Sequence, residues 1–267
     1  MNYFSSDSLV EISDYAITSR TEPIDVSQFN SNKVIFCNTH RLIELFSILK
    51  DNPNRFVLIT HLSDYNIEQV YINRKPKCIV SWFGQNIVGK SIDETIITPV
   101  PIGVFPKERD GLNRNQILTF SNDYRQYNVY FNTDPNTNLG ERERAWEYSK
   151  KIGNSLVYLN NRFTADVFVN NLKQCKYVVS PPGYGIDCFR TWEGLHVGTI
   201  PIVRRSVSTE YFSKLFPIIL IDIWEDLSLS YLESNFPKEK YNLDYLQYLD
   251  SSYWQNLILK SKNSLLY

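Results

Sequence analysis

The stretch Lys176–Arg204, KYVVSPPGYGIDCFRTWEGLHVGTIPIVR, holds Asp187, Arg190 and Glu193 at three-residue steps behind the loop Pro181–Ile186. On a helix, Asp187, Arg190, Thr191 and Gly194 fall on one side and Glu193 at its margin, while Cys188, Phe189, Trp192, Leu195 and His196 fall on the other. Asp187 is a good N-cap residue. The first turn of a helix offers free N–H groups and the positive end of a dipole, a ready site for phosphate. Arg190 adds a forked charge suited to the same anion. One turn further in, the Glu193 carboxylate can accept two hydrogen bonds from ribose hydroxyls. This is the chemistry of nucleoside diphosphate binding. The same residues also describe a tight turn, a capped helix and a surface Arg–Glu pair. Gly183-Tyr184-Gly185 lacks the third glycine of a dinucleotide fingerprint, and no Gly-Lys-Ser/Thr of a P-loop occurs.

The elements that must position these groups are legible around them. Tyr177–Ser180 reads as a buried strand, Asp187–Val197 as a helix stopped by Gly198, and Thr199–Val203 as a second buried strand. Together they form a βαβ unit with parallel pairing. Upstream, 33–37, 56–60, 78–82 and 96–100 read as strands, with a helix at 40–50 and a short one at 65–72. After the charged break Phe105–Arg114, the chain resumes with a strand at 128–132, a charged helix at 140–152, a strand at 156–159 and a helix at 164–174. A further strand is expected at 217–221. This alternation predicts an α/β protein with parallel sheets. The expected divisions are an N-terminal domain over 1–110, a C-terminal domain over 111–240 and a helical tail over 241–267.

Composition narrows the function. The 267 residues are 43% hydrophobic and carry a formal net charge of −1, which gives no electrostatic case for nucleic acid or an anionic membrane surface. The cysteines Cys37, Cys78, Cys175 and Cys188 have no CxxC spacing, and with three histidines in the chain no zinc site is expected. Most of these cysteines lie in or beside apolar runs, as buried thiols of a reducing compartment do. The N-terminal twenty residues read as neither a signal peptide nor an anchor. A soluble, cytoplasmic protein is the expectation.

The run Ser180-Pro181-Pro182-Gly183-Tyr184-Gly185-Ile186-Asp187, followed by Arg190, Trp192-Glu193 and Gly198-Thr199-Ile200-Pro201-Ile202-Val203, resembles the signature of exostosin-like glycosyltransferases. The resemblance implies a GT-B fold: two Rossmann-like domains, the nucleotide sugar on the C-terminal one, the acceptor in the cleft, and a C-terminal helix crossing back to the first domain. It extends to Phe131-Asn132-Thr133, Thr137-Asn138 and Glu141-Arg142, where the family places an arginine on the donor diphosphate. Arg142 matches by position, with Arg144 as the fallback. The donor site implied is Asn132, Arg142, Ser180, Pro181, Gly183, Tyr184, Gly185, Asp187, Arg190 and Glu193.

Thr60-His61-Leu62-Ser63-Asp64 follows a strand directly and resembles the Thr-His-x-x-Asp segment of exostosin-like N-terminal domains. An inverting transfer needs a base for the acceptor hydroxyl proton, and Asp64 and His61 are the candidates. Helix capping and turn packing are their structural alternatives. Trp82 and Asn86, in a Trp-Phe-x-x-Asn pattern shared with the family, and His40 are candidate acceptor contacts. No Asp-x-Asp occurs, in agreement with a metal-independent mechanism and no cofactor beyond the nucleotide-sugar cosubstrate. The expected activity is inverting transfer of a sugar, xylose as a weak guess, from a UDP-sugar to a glycan hydroxyl. A GDP-sugar enzyme of fucosyltransferase type and a non-catalytic nucleotide- or carbohydrate-binding protein are the alternatives.

Overall fold

The computed structural model describes residues 2–90, 92–105, 117–263 and 265. Most of the charged break Phe105–Arg114 lies outside the described residues. The chain divides into two compact units, Met1–Ile102 with Asp250–Tyr267, and Gly103–Leu249. These divisions fall at 102/103 and 249/250, against the 110/111 and 240/241 suggested by sequence.

The first unit is built on a parallel sheet in the order β1-β2-β3-β4-β5: Tyr15–Ile17, Lys33–Asn38, Phe56–His61, Ile79–Gly84 and Thr98–Pro99. Every residue of β3 is buried, as expected for a parallel strand covered on both faces. β1 escapes the sequence reading because three residues are too short for a period. Among the helices Ser6–Glu11 (α1), Leu42–Leu49 (α2) and Gln69–Asn73 (α3), α2 buries Leu42, Leu45, Phe46 and Leu49 along one stripe. It begins later than the predicted 40 because Asn38 Oδ1 accepts the His40 N–H at 3.1 Å and holds Thr39–Arg41 in a tighter turn. The C-terminal helix Ser251–Asn263 belongs to this unit. Trp254 packs on Phe4, Gln255 donates to the Ser8 carbonyl and Lys262 pairs with Asp14.

The second unit carries β6 to β10, Tyr127–Thr133, Leu156–Leu159, Cys175–Val179, Ile200–Arg204 and Ile219–Ile221, all parallel in the order β10-β9-β8-β6-β7. The order reverses between β8 and β6. Such a switch point opens a crevice at the carboxyl ends of the two strands, where open α/β sheets bind their ligands. The helices Leu139–Ser149 (α4), Ala165–Gln174 (α5), Phe189–His196 (α6), Val207–Ser213 (α7), Leu229–Ser234 (α8) and Leu246–Leu249 (α9) accompany it. Val129, Phe131, Val179, Ile202, Ile221 and Trp224 are among its core.

The helix α6 departs from the two-faced reading. Thr191 and Gly194, read as part of a polar side, and Glu193, read at its margin, are buried like Trp192 and Leu195. Gly194 explains why: a Cβ there would stand 2.8 Å from Val178 Cγ1 and 3.3 Å from the Thr199 carbonyl. The missing side chain lets the helix lie against β8 and β9, which covers its second face. Gly198 ends the segment at φ +79, a conformation that favours glycine. Below it, Arg125 ties carbonyls of three segments together. Its Nη1 donates to Lys173 O and to Thr199 Oγ1, and its Nη2 to Ser121 O and Val197 O. Tyr241 and Tyr245 add hydroxyl bonds to Gly198 O and Leu195 O, which keeps this part of the expected returning tail in the second unit.

Candidate functional site

At the switch point, β6 ends at Thr133 and β8 runs into the loop Ser180–Asp187. The loop is held from three sides. Ser180 N–H continues the ladder to Ile202 O, and its buried hydroxyl bonds Thr191 Oγ1 at 2.9 Å, which ties the loop to α6. Within the loop, Gly183 N–H donates to Gly185 O at 3.0 Å, and Gly183 O accepts from Asn138 Nδ2 at 3.1 Å. Pro181 and Gly185 are buried, whereas Tyr184 at the tip is 69% exposed.

Arg142 projects from α4 beneath this loop. It is 8% exposed, donates from Nε to Pro182 O at 3.0 Å and from Nη1 to Asp134 O at 2.8 Å. Burial lowers its pKa, and the neighbouring Arg190 lowers it further. Arg144, the fallback, is instead 70% exposed and 4.0 Å from Glu225, so the structure separates the two. Arg190 comes from α6, with its Nε buried and without a hydrogen-bond partner among the described residues. Cys188 lies beside both: burial pushes its thiol up, while Arg190 and Arg142 pull it down. Two guanidiniums thus converge on one loop, and among the described residues neither forms an ion pair. Like charges brought together and partly desolvated this way are costly unless an anion joins them.

Other residues of the expected donor site have internal work. Asp187 precedes the N-cap position, which Cys188 occupies without a side-chain bond. Its carboxylate instead accepts the Cys188 N–H at 2.8 Å and the Trp192 indole N–H at 2.9 Å. The buried indole needs that acceptor, and truncating so large a buried side chain costs on the order of 3–5 kcal/mol. Glu193 is 2% exposed, so its carboxylate is not open to a ribose here. Asn132 spends its amide on Asn161, donating to its carbonyl at 2.9 Å and accepting its N–H at 3.1 Å, which pins the loop after β7. The resemblance puts Arg142 and Arg190 in one donor site, whereas the position of Cys188 beside both has no local sequence signal, because α4 and α6 are far apart in the chain.

The first unit sorts its candidates by exposure. Asp64 is exposed, just beyond the carboxyl end of β3. His61 is not available as a base: it is 2% exposed, its Nε2–H donates to Pro101 O at 3.0 Å, and burial pulls its pKa down to about 4. Trp82 is not a sugar platform. It is 1% exposed, packs edge-on against Phe46 and donates its indole N–H to Thr60 Oγ1 at 2.8 Å. Asn86 is likewise enclosed, at φ +58, with its Nδ2 donating to Ser63 O and its carbonyl accepting the Ile67 N–H. It serves a turn. His40 stays partly exposed with its ring 4.1 Å from that of Tyr65, and burial and Arg20 lower its pKa. Gln85, which the sequence did not single out, is 1% exposed at the end of β4.

No family model and no curated protein matches the chain. Among solved structures it is similar to an α,α-trehalose-phosphate synthase (UDP-forming) from Burkholderia vietnamiensis, with a TM-score of 0.50 and 11% identity, over 88% of this chain and 74% of that one. Two structures of β-glucosyltransferase, one titled as a DNA-modifying enzyme with and without uridine diphosphoglucose and one from T4 phage, share 8% identity at a TM-score of 0.31, over 91% of this chain and 80% of theirs. At that score they carry no weight. The first likeness and the two five-stranded parallel sheets show an α/β protein of the GT-B fold. No helix among the described residues is long and apolar enough to cross a membrane.

Proposed function

We propose that the protein is an inverting glycosyltransferase that moves a sugar from a nucleoside diphosphate, UDP first, to a glycan hydroxyl. One observation carries this reading: Arg142 and Arg190, without an ion pair among the described residues, converge on the Pro/Gly loop at the switch point of the second unit. Two forked cations at the carboxyl ends of parallel strands suit a diphosphate. The exostosin-like motif and the likeness to a UDP-forming synthase support the same assignment.

In the mechanism, Arg142, Arg190 and the backbone of Ser180–Gly185 hold the diphosphate, and Tyr184 is exposed for contact with the nucleoside. The acceptor oxygen attacks the anomeric carbon from the face opposite the leaving group. The bond from that carbon to the diphosphate oxygen breaks, UDP departs, and Asp64 takes the acceptor proton. The arginines stabilise the charge that develops on the departing nucleotide, so the step invokes no metal. Asp187 and Glu193 support α6 rather than touch the donor in this scheme. Xylose is the first sugar to try, since the acceptor-side motifs hold no basic group for a uronate. The buried free cysteines Cys37 and Cys175 fit a cytoplasmic setting.

The test is thermal stability against UDP, GDP and their sugars, with and without EDTA, in the wild type and in Arg190→Ala. A ligand that binds only the folded state raises the midpoint. The expected result is a UDP-dependent rise that survives EDTA and is lost in Arg190→Ala. A rise with GDP alone would replace the donor. No rise with any nucleotide would sink the donor site and leave a carbohydrate-binding protein.

A further inference from the structure

Glu141 and Arg142 are consecutive residues at the start of α4, and between them they reach four strand ends. Arg142 bonds Asp134 O just past β6 and Pro182 O in the loop after β8. The Glu141 carboxylate goes the other way. Its Oε2 accepts from Nε of Arg204, the last residue of β9, at 3.1 Å, and from the Trp224 indole N–H, just beyond β10, at 2.7 Å. The sheet order there is β10-β9-β8-β6, so each residue of the pair holds two neighbouring strands. Adjacent helical residues point about 100° apart, which sends the two side chains to different sides of the helix axis.

These bonds fix α4 where packing alone holds it weakly. Its buried residues are Arg142, Ala145 and Ser149, and the last two are too small to interlock with a sheet as leucines would. Asn138, at the N-cap, makes no side-chain capping bond. The rotation of α4 over the sheet therefore depends on what its first turn grips. The grip of Glu141 is a firm one. Trp224 is 1% exposed and needs an acceptor for its indole N–H. Arg204 keeps Nη1 buried without a hydrogen-bond partner among the described residues, so its charge relies on the same carboxylate. Losing Glu141 would leave both groups uncompensated. Drawn toward β9 and β10, the carboxylate also leaves Arg142 without an ion pair among the described residues, its charge open to an anion.

We infer that Glu141 is a positioning residue of the donor site. It sets where Arg142 carries its guanidinium against the Ser180–Gly185 loop, and thereby the affinity for a nucleoside diphosphate. It does not touch the donor. A binding side chain keeps its geometry only when the element that carries it is itself held by packing and hydrogen bonds. Arg204 and Trp224 are the anchors here, and Glu141 is the link from them to α4. As a role in donor binding the inference rests on the transferase reading. The placement of Arg142 by Glu141 stands without it.

The experiment follows the Arg142 Nε–H by heteronuclear NMR of the full chain, assigned with Arg142→Ala, alongside calorimetric titration with UDP. The variants are Glu141→Ala, which removes both bonds, and Glu141→Gln, which keeps an acceptor for the indole and loses the ion pair. Each is first checked for a cooperative melt, and Glu141→Gln decides if Glu141→Ala does not fold. The wild type should show a slowly exchanging Nε–H, since Pro182 O accepts it. In the variants that signal should shift and exchange roughly 10-fold faster or more. UDP should bind roughly 5-fold more weakly or worse, the scale of one hydrogen bond, with Glu141→Ala the more affected. A purely structural Glu141 would lower the melting midpoint and leave both the signal and the affinity in place. That result in a folded variant would overturn the inference. So would a moved signal with unchanged UDP affinity, because Arg142 would then lie outside the donor contacts. Absence of UDP binding from the wild type would sink the donor site by itself, and the Nε–H signal would still decide whether Glu141 places Arg142.

Discussion

The Arg142 guanidinium and Gly183 occupy complementary space: a Cβ on Gly183 would stand 2.7 Å from Arg142 Nη2. The arginine cannot simply swing aside, because its Nε and Nη1 are bonded to Pro182 O and Asp134 O. Gly183→Ala should therefore displace the guanidinium and lower UDP affinity roughly 10-fold, near the low end of a charge-assisted bond. Calorimetric titration reads this directly. An alanine variant with wild-type affinity would remove Arg142 from the diphosphate.

Asp64 is the exposed carboxylate beyond β3, whereas His61 beside it in sequence is enclosed. Asp64→Asn should keep donor binding and lose on the order of 10²–10⁴ in turnover, the usual worth of a positioned base. Comparing kcat with the UDP dissociation constant separates the two effects. Undiminished turnover would assign the proton to another group.

Folded His61 takes up its proton only near pH 4, the unfolded imidazole near 6.5. Between those values the unfolded state binds more protons, so this contribution is complete above about 6.5 and is lost as the pH falls toward 4. The loss amounts to roughly 3 kcal/mol. Urea midpoints at pH 7.5 and 4.5 should diverge less in His61→Gln than in the wild type. Equal divergence would mean that other groups set the acid limit.

Arg125 binds carbonyls at the ends of α5 and α6 and beside β8 without a carboxylate partner among the described residues. Arg125→Met should destabilise the second unit by about 3 kcal/mol or more, since several buried acceptors lose a charged donor together. Arg125→Lys should not restore it, because an ammonium lacks the fork. Thermal melts of both variants provide the measurement.

Much of the architecture was legible in local patterns. The runs KVIFC, FVLIT and NVYFN read as buried strands because parallel strands are covered on both faces. Gly198 read as a helix stop because only the backbone decides that conformation. The loop at Ser180–Gly185 and Arg142 were singled out by motif. Faces of elements were harder: α6 looked amphipathic, but Gly194 lets a strand cover its second side.

The sequence by itself determined the alternation of strands and helices, the parallel pairing that such alternation requires, and the helix boundary at Gly198. These follow from short-range periodicity and backbone preference. Tertiary structure alone decided that Cys188 lies beside both Arg142 and Arg190, that Glu193 is buried, and that Trp82, Asn86 and His61 are enclosed while Asp64 is not. Exposure and partnership depend on residues far along the chain, and no local spacing carries that information.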